Sequence, residues 1–389
     1  MKILVLGGGF GGIVAAHTLR NTLGDRHEVT LVNQSSDFYV RAAFPRLAFE
    51  GTITPANIRL QLDRALTTRG INFLQASVTA IRPERNAVET SSGTLSYDYL
   101  ILALGTDFAK DKVPGLMEHS YSLWTVEESQ RLAARLRTFT SGVFVTGTAL
   151  GSPCEEPMWE ATMQMDRLAR QRGIRDRVEV HHITPKALAL QPLGPAGHRW
   201  GKETFGKLGI KVHTNAETVQ VTQDCITFRD GRELRYDVAL IIPPYVGHAV
   251  VRQAGLGDES GFVLVDSKMR SRNYRNIFAI GDCVSMPQRP KMAHNAMRGG
   301  VAAAINIAHE LMGKPANWEH YSEIMGVIDN GGGKGTFVRS NVPWGGDISI
   351  VMGAHSDTPG LTAEEAHFIK KSFGEYFLST GGNVGYYIM

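Results

Sequence analysis

An apolar run, Lys2-Ile3-Leu4-Val5-Leu6, leads straight into Gly7-Gly8-Gly9-Phe10-Gly11-Gly12, and a helical pattern from Ile13 to Leu23 follows at once. The run reads as a short strand buried on both faces. Gly7, Gly9 and Gly12 then form G-x-G-x-x-G at the strand-to-helix turn. Gly7 permits the tight turn, Gly9 lets a pyrophosphate approach the backbone, and Gly12 lets the helix pack close to the strand. An anion there meets the free N–H groups and the positive end of the helix dipole. A second strand, Glu28-Val29-Thr30-Leu31-Val32, follows on schedule. The chain is therefore expected to begin as a parallel α/β unit built around a dinucleotide. Where Asp or Glu ordinarily meets the ribose hydroxyls, this chain has Asn33, whose amide can serve the same groups.

The remaining pattern is also α/β. Tyr99 to Leu104 is a buried strand ending at Gly105, after β segments at Ile71 to Ile81 and Ala87 to Tyr97. A second unit then runs through a helix at Val126 to Arg137, a strand at Gly142 to Thr146, a helix at Pro157 to Arg172 and a strand at Val178 to Ile183. A β-meander near residues 217–236 follows. Gly261 to Asp266 and Asn276 to Ile280 read as strands, Ala293 to Leu311 as a small-residue helix, and Ala363 to Leu378 as a helix in a β-containing tail. This order predicts two Rossmann-like domains, the second inserted in the first, plus a C-terminal α+β appendage. The expected boundaries are 1–110 with 241–315, then 111–240, then 316–389.

Composition narrows the function classes. A net charge of +3 in 389 residues offers no case for nucleic-acid binding. No stretch approaches the ~20 apolar residues of a membrane-spanning helix, and the start lacks a signal peptide's layout. Three cysteines, Cys154, Cys225 and Cys283, are too few for a secreted disulfide scaffold and fit no zinc spacing. The thirteen histidines show no ligand cluster, so no metal is expected. A cytoplasmic chain is expected, with peripheral membrane contact and the oligomeric state left open.

The segment Asn276-Ile277-Phe278-Ala279-Ile280-Gly281-Asp282 resembles the second FAD contact of the two-dinucleotide-domain flavoproteins. The resemblance implies that Asp282 meets the ribityl chain and that a helix begun by Lys291-Met292 points its N-terminus at the flavin pyrimidine ring. Reduced flavin is anionic there, so a helix N-terminus stabilises it. FAD is thus the expected cofactor. Its expected lining is Gly7, Gly9, Phe10, Gly11, Gly12, Asn33, Pro45, Val78, Gly105, Gly281, Asp282 and Lys291.

The second domain has no matching glycine loop. Its strand runs instead into Gly147-Thr148-Ala149-Leu150-Gly151-Ser152-Pro153-Cys154-Glu155-Glu156-Pro157-Met158-Trp159-Glu160. Bulky residues, prolines and the Glu155 and Glu156 carboxylates oppose a pyrophosphate. Cys154 sits where the loop joins the helix, a location that lowers thiol pKa. Gly151, Cys154, Pro157, Trp159 and Glu160 match, in register, the redox-cysteine loop of sulfide:quinone oxidoreductases and of the flavoprotein subunit of flavocytochrome c sulfide dehydrogenase. The resemblance extends over nearly the whole chain. It aligns Gly261 to Asp266 with the strand before the Gly-Asp turn, and Phe373-Gly374-Glu375-Tyr376-Phe377-Leu378 with an aromatic helix that lines a quinone site and touches the membrane. Phe373 and Phe377 are the expected quinone contacts. Lys370, Lys371 and the apolar end Tyr386-Tyr387-Ile388-Met389 fit membrane contact.

One departure stands out. The family's second redox cysteine precedes an Asp-x-Gly turn, which here is Asp329-Asn330-Gly331, so that cysteine falls at or near Gly326. No cysteine follows Cys283. Either Cys154 acts alone, with an external acceptor taking the sulfur, or Cys283 substitutes, or the chain has left sulfide chemistry. Glu160 is a candidate proton relay or a solvated carboxylate, and Lys291 a stabiliser of reduced flavin or quinone oxygen, or a surface lysine. Sulfide or a small sulfur compound as donor and a quinone as acceptor are the expected substrates. The rivals are a type II NADH:quinone oxidoreductase and a non-catalytic flavoprotein that docks a redox partner.

Overall fold

The structure, a computed structural model, describes residues 1–190, 194–285, 291–320, 323–331, 333–341, 349–351 and 363–384. The expected membrane contact at Tyr386–Met389 lies outside them. The first stretch contains β1 (Lys2–Leu6), α1 (Phe10–Leu23), β2 (Glu28–Asn33), α2 (Phe44–Phe49), β3 (Asn72–Gln75) and β4 (Tyr99–Leu102). Next come β5 (Gly142–Thr148), α3 (Glu156–Gln171), β6 (Val178–Ile183), β7 (Lys211–His213) and β8 (Val238–Ile242). The chain returns through β9 (Ile277–Ala279) and α4 (Ala293–Leu311). It closes with β10 (Glu323–Gly331), β11 (Lys334–Asn341), β12 (Ser349–Val351) and α5 (Ala363–Ser379).

Two parallel sheets carry the fold. The first has the order β9-β4-β1-β2-β3, the second β7-β6-β5-β8. Leu4 lies between Thr30 on one side and Leu100 on the other. Ile3, Leu4, Val5 and Leu6 are all buried, each contributing roughly 1.5–3 kcal/mol over an exposed position. A strand covered on both faces has no solvent side, which explains its unbroken apolar run. Because β9 follows the second sheet in sequence yet pairs with β4 of the first, the chain leaves one sheet and comes back to it. The C-terminal region adds an antiparallel sheet, β10-β11-β12.

Helices α1 and α4 meet through glycines. A Cβ on Gly11 would lie 2.8 Å from the Ala296 carbonyl oxygen, and one on Gly300 2.5 Å from that of Gly11. Side chains at either position would push the helices apart. Held this close, both helices open their N-termini onto the same cavity, which Phe10, Gly11, Met292 and Ala293 line.

One expected element is missing. Gly261 to Asp266 forms isolated bridges rather than a strand. Two aspartates explain this: Asp258 Oδ1 accepts from the Ser260 and Phe262 amides, and Asp266 Oδ1 from those of Lys268 and Arg270. Side-chain acceptors of this kind turn the backbone out of a ladder.

Candidate active site

The glycine loop is shaped by backbone contacts. Gly7 has φ +108°, and a Cβ there would lie 2.2 Å from the Ala103 carbonyl oxygen. Its N–H donates to Val32 O at 2.8 Å, tying the loop to the end of β2. Gly8 N–H donates to Asn33 Oδ1 at 2.9 Å, while Asn33 Nδ2 donates to Ser35 O at 2.8 Å. Asn33 lines the cavity, but its amide is engaged in bracing the loop rather than held out for a ribose. A Cβ on Gly9 would meet nothing within 4 Å, so this face of the loop is bare and open. With the first-turn N–H groups of α1 beside it, the loop fits a pyrophosphate.

The loop opens onto a cavity of about 1060 Å³, which also reaches Pro45, Val78, Gly105, Gly281 and Asp282. Gly281 has φ +68°, a turn that favours glycine. Asp282 is held above the ordinary carboxylate range by burial, with Lys291 and Arg41 opposing. Lys291 is no surface lysine. Its ammonium donates to the Asp282 carbonyl and to Val284 O at 2.9 Å and lies 4.1 Å from the Phe262 ring centre. It therefore fastens the Gly281-Asp282 turn, and burial lowers its pKa. An open glycine loop, a helix N-terminus at Met292 and a cavity spanning both fit an elongated dinucleotide such as FAD.

Cys154 forms part of the same cavity wall, half-buried. The expected lowering of its pKa is corrected: the thiol is pushed up to about 12, first by burial and then by the Glu156 carboxylate. The N–H of Glu156 hydrogen-bonds the sulfur and opposes this, more weakly. Glu155 turns the other way. Its Oε1 accepts from Thr184 Oγ1 at 2.8 Å and lies 3.2 Å from Lys186 Nζ, and its Oε2 accepts from Leu190 N at 3.0 Å. This buried carboxylate closes the C-terminal edge of the second sheet, where a second dinucleotide would need bare amides.

Four further expectations change. Cys283 is no stand-in for the second redox thiol: its Sγ donates to Leu102 O at 3.2 Å and Ile280 O at 3.1 Å, inside the core, and burial raises it to about 11. Glu160 is not solvated. It is buried, and its Oε1 accepts from Asp329 N at 2.7 Å and from the Lys370 ammonium, which also donates to Val327 O at 2.9 Å. Lys370 thus faces inward instead of toward a membrane, with burial lowering it to about 8. Finally, Phe373 lines the cavity but Phe377 does not. Its ring is fully buried, 4.9 Å from Phe10 and 5.4 Å from Phe38.

The Asp329-Asn330-Gly331 turn forms as expected, with Gly331 N donating to Asp329 Oδ1 at 2.8 Å. Gly326, on β10 ahead of it, lines the cavity together with Cys154, Glu156 and Lys370. Sequence reasoning did not bring Glu156 and Lys370 to this end of the cavity, and it passed over an aromatic wall in which Trp124 lies 5.1 Å from Tyr245 and 4.6 Å under the Arg41 guanidinium. None of these has a local signature; Lys370 and Glu160 are 210 residues apart. Among the described residues, no three His, Cys, Asp or Glu side chains converge on a metal site.

Two dinucleotide-type sheets and one cavity shared by the glycine loop, the Gly281-Asp282 turn and a cysteine define a two-domain flavoprotein. Residues 1–300 match the pyridine nucleotide-disulphide oxidoreductase family, and the chain belongs to that family. It is an FAD-dependent oxidoreductase. The sulfide-quinone reductase of Aquifex aeolicus is 26% identical over 97% of this chain and 90% of that protein. The solved structure of the sulfide:quinone oxidoreductase from Aquifex aeolicus superimposes with a TM-score of 0.89 at 25% identity, covering 98% of this chain and 91% of that one. A type II NADH:quinone oxidoreductase of Staphylococcus aureus is 23% identical over 92% of this chain and 94% of that protein. The expected resemblance to sulfide:quinone oxidoreductases is borne out.

Proposed function

We propose that the protein oxidises sulfide, or a related small sulfur compound, at Cys154 and delivers the electrons through FAD to a quinone. The observation that carries this reading is one cavity shared by the glycine loop, the Gly281-Asp282 turn and the Cys154 thiol. Bound FAD supplies a two-electron acceptor that can be reoxidised by a quinone. Gly7, Gly9, Phe10, Gly11 and Gly12 hold its pyrophosphate, Asp282 its ribityl chain, and the N-terminus of α4 the negative charge that reduction brings. Lys291 keeps the Asp282 turn in register.

In the sulfur step, Cys154 Sγ would form one S–S bond with the donor's sulfur, and bound FAD would supply the acceptor for the two electrons released. A second nucleophile, sulfide itself in the simplest case, takes the outer sulfur and restores Cys154. A quinone would take up two electrons and two protons, and Phe337 and Phe373, which line the cavity, would offer its ring an apolar wall. This reading assigns residues 1–110 and 241–315 to FAD, 111–240 to the Cys154 loop and 316–389 to the quinone and the membrane surface. No helix among the described residues is long and apolar enough to cross a membrane, so surface contact falls to exposed side chains.

The closure of the second sheet by Glu155 disfavours an NADH:quinone reaction, because a buried carboxylate occupies the edge where a pyrophosphate would bind. Anaerobic titration of the flavin spectrum tests the reading. Sulfide is expected to bleach the parent flavin, and Cys154→Ser to slow this by on the order of 10² or more. Equal bleaching of both proteins would remove Cys154 from the chemistry. Rapid bleaching by NADH with none by sulfide would move the chain to the NADH-oxidising class.

A further inference from the structure

Five Lys and Arg side chains line the cavity: Arg41, Arg46, Lys291, Lys370 and Lys371. Four of them are engaged. Arg46 Nε donates to Glu50 Oε2 at 3.1 Å, Lys371 lies 3.9 Å from Glu375, Lys370 holds Glu160, and Lys291 holds the Asp282 turn. Arg41 forms no hydrogen bond or ion pair among the described residues. Its guanidinium lies 4.6 Å over the Trp124 ring instead. Such a stack fixes the plane of the guanidinium and leaves its N–H edge available to a ligand.

The wall around Arg41 is built of rings from three segments. Trp124 lies 4.9 Å from Phe108 and 5.1 Å from Tyr245, and Phe108 pairs with Tyr245 across an antiparallel ribbon. The Tyr245 N–H donates to Gly151 O at 3.2 Å, in the loop that carries Cys154. This bond sets the aromatic wall beside the Cys154 loop, and Arg41, Trp124, Tyr245 and Cys154 line one cavity. The Tyr245 hydroxyl likewise has no partner among the described residues. Burial raises its pKa well above the usual value, with Asp282 and Cys154 assisting and Arg41 opposing, so it stays a donor.

We propose that Arg41 determines which donors enter: it receives the sulfur compound as an anion, hydrosulfide or another small sulfur anion, and with the Tyr245 hydroxyl hydrogen-bonds it on the way to Cys154. The inference rests on the proposed reaction, in which a sulfur donor meets Cys154. In an apolar aromatic frame an unpaired cation attracts an anion more strongly than it does in water. Three carboxylates also bear on this end of the cavity. Asp282 faces Arg41 and is raised by burial, Glu156 faces Lys370, and Glu127 is exposed, where solvent screens it. None of the three is ion-paired with Arg41, so its charge is open to a ligand. A neutral donor gains nothing from it.

Two measurements on the FAD-loaded protein test this in parent, Arg41→Gln and Arg41→Lys. The first is alkylation of Cys154 by iodoacetate, an anion, and by iodoacetamide, its neutral analogue, read at that residue by mass spectrometry. The ratio of the two rates cancels any change in the thiolate fraction. The second is anaerobic flavin reduction over a range of sulfide concentrations. In Arg41→Gln the iodoacetate-to-iodoacetamide ratio is expected to fall about tenfold. The sulfide concentration for half-maximal reduction should rise about tenfold, at a limiting rate near the parent's. Arg41→Lys keeps most of the ratio. In the parent the ratio falls as salt rises from about 0.01 M to about 1 M, and in Arg41→Gln it barely moves. An unchanged ratio in Arg41→Gln overturns the inference. So does a lower limiting rate with an unchanged half-maximal concentration, or loss of FAD from that variant, which would make Arg41 a cofactor residue. The alkylation needs no turnover. If sulfide fails to reduce the parent flavin, the proposed reaction fails, and the ratio alone decides whether Arg41 receives anions.

Discussion

Gly9 and Gly12 stand three residues apart in one loop, yet they are glycines for different reasons. A Cβ on Gly12 would lie 1.9 Å from the Gly7 carbonyl oxygen and 3.3 Å from Ala103 Cβ, both parts of the packed framework. A Cβ on Gly9 would meet nothing, and its φ of −84° is open to any residue. Gly12 is needed by the fold, Gly9 only by the ligand. Gly12→Ala is therefore expected to destabilise the apoprotein by about 1–3 kcal/mol, through overpacking against backbone that cannot give. Gly9→Ala should leave the apoprotein's melting temperature nearly unchanged and weaken FAD at least about tenfold, because the methyl meets the pyrophosphate. Thermal melts of apoprotein and fluorescence titration with FAD check both. Equal effects of the two variants on the apoprotein would show that Gly9 is also structural. Asn33 belongs to the same scale. Its position after β2 was legible, but its bond to Gly8 depends on how the loop folds back, which no spacing reveals.

Helix α5 carries two aromatic pairs with opposite destinies. Phe373 and Phe377 point inward, Phe377 fully buried against Phe10 at the start of α1. Phe368 and Tyr376 point outward, 67% and 45% exposed, with Lys371 also exposed. All four lie on one helix, and which of them face the core depends on how α5 is rolled. The buried bond from Lys370 to Glu160 contributes to that roll, and its partner lies in another domain's helix. Phe377→Ala is expected to cost about 3–5 kcal/mol and, through Phe10, to loosen FAD. Phe368→Ser should leave stability within about 0.5 kcal/mol and reduce sedimentation with anionic liposomes, since an exposed aromatic beside a lysine suits a lipid interface. Unchanged liposome binding in Phe368→Ser would remove this face from membrane contact.

At the scale of the whole molecule, what was legible was local. Strands β1 and β4, the glycine loop, the Gly281-Asp282 turn and the Asp329-Asn330-Gly331 turn each declare themselves within a few residues. The reacting end of the cavity does not, because Cys154, Gly326 and Lys370 come from three distant segments that meet only after folding. The same long-range closure is expected to make the protein acid-sensitive. His17 on α1 is buried, and its Nε2–H donates to Gly381 O at 3.0 Å, beyond the end of α5. Burial lowers its pKa from 6.5 to about 4, the bond to Gly381 opposing and the Arg69 charge assisting. Folding therefore favours the neutral ring. The unfolded chain binds a proton below about pH 6.5 that the folded one refuses until about pH 4. Stability from this site is complete above pH 6.5 and declines as the pH falls toward 4, by roughly 3 kcal/mol in all. His182, buried in the second sheet and also held at about 4, loses stability over the same range. His17→Gln keeps an N–H donor for Gly381 without a titrating group. Its melting temperature is expected to fall less than the parent's between pH 7 and pH 5, the remaining decline belonging to His182 and other groups. Equal declines in the two proteins would show that the contact between α1 and the C-terminal turn is not what acid disturbs.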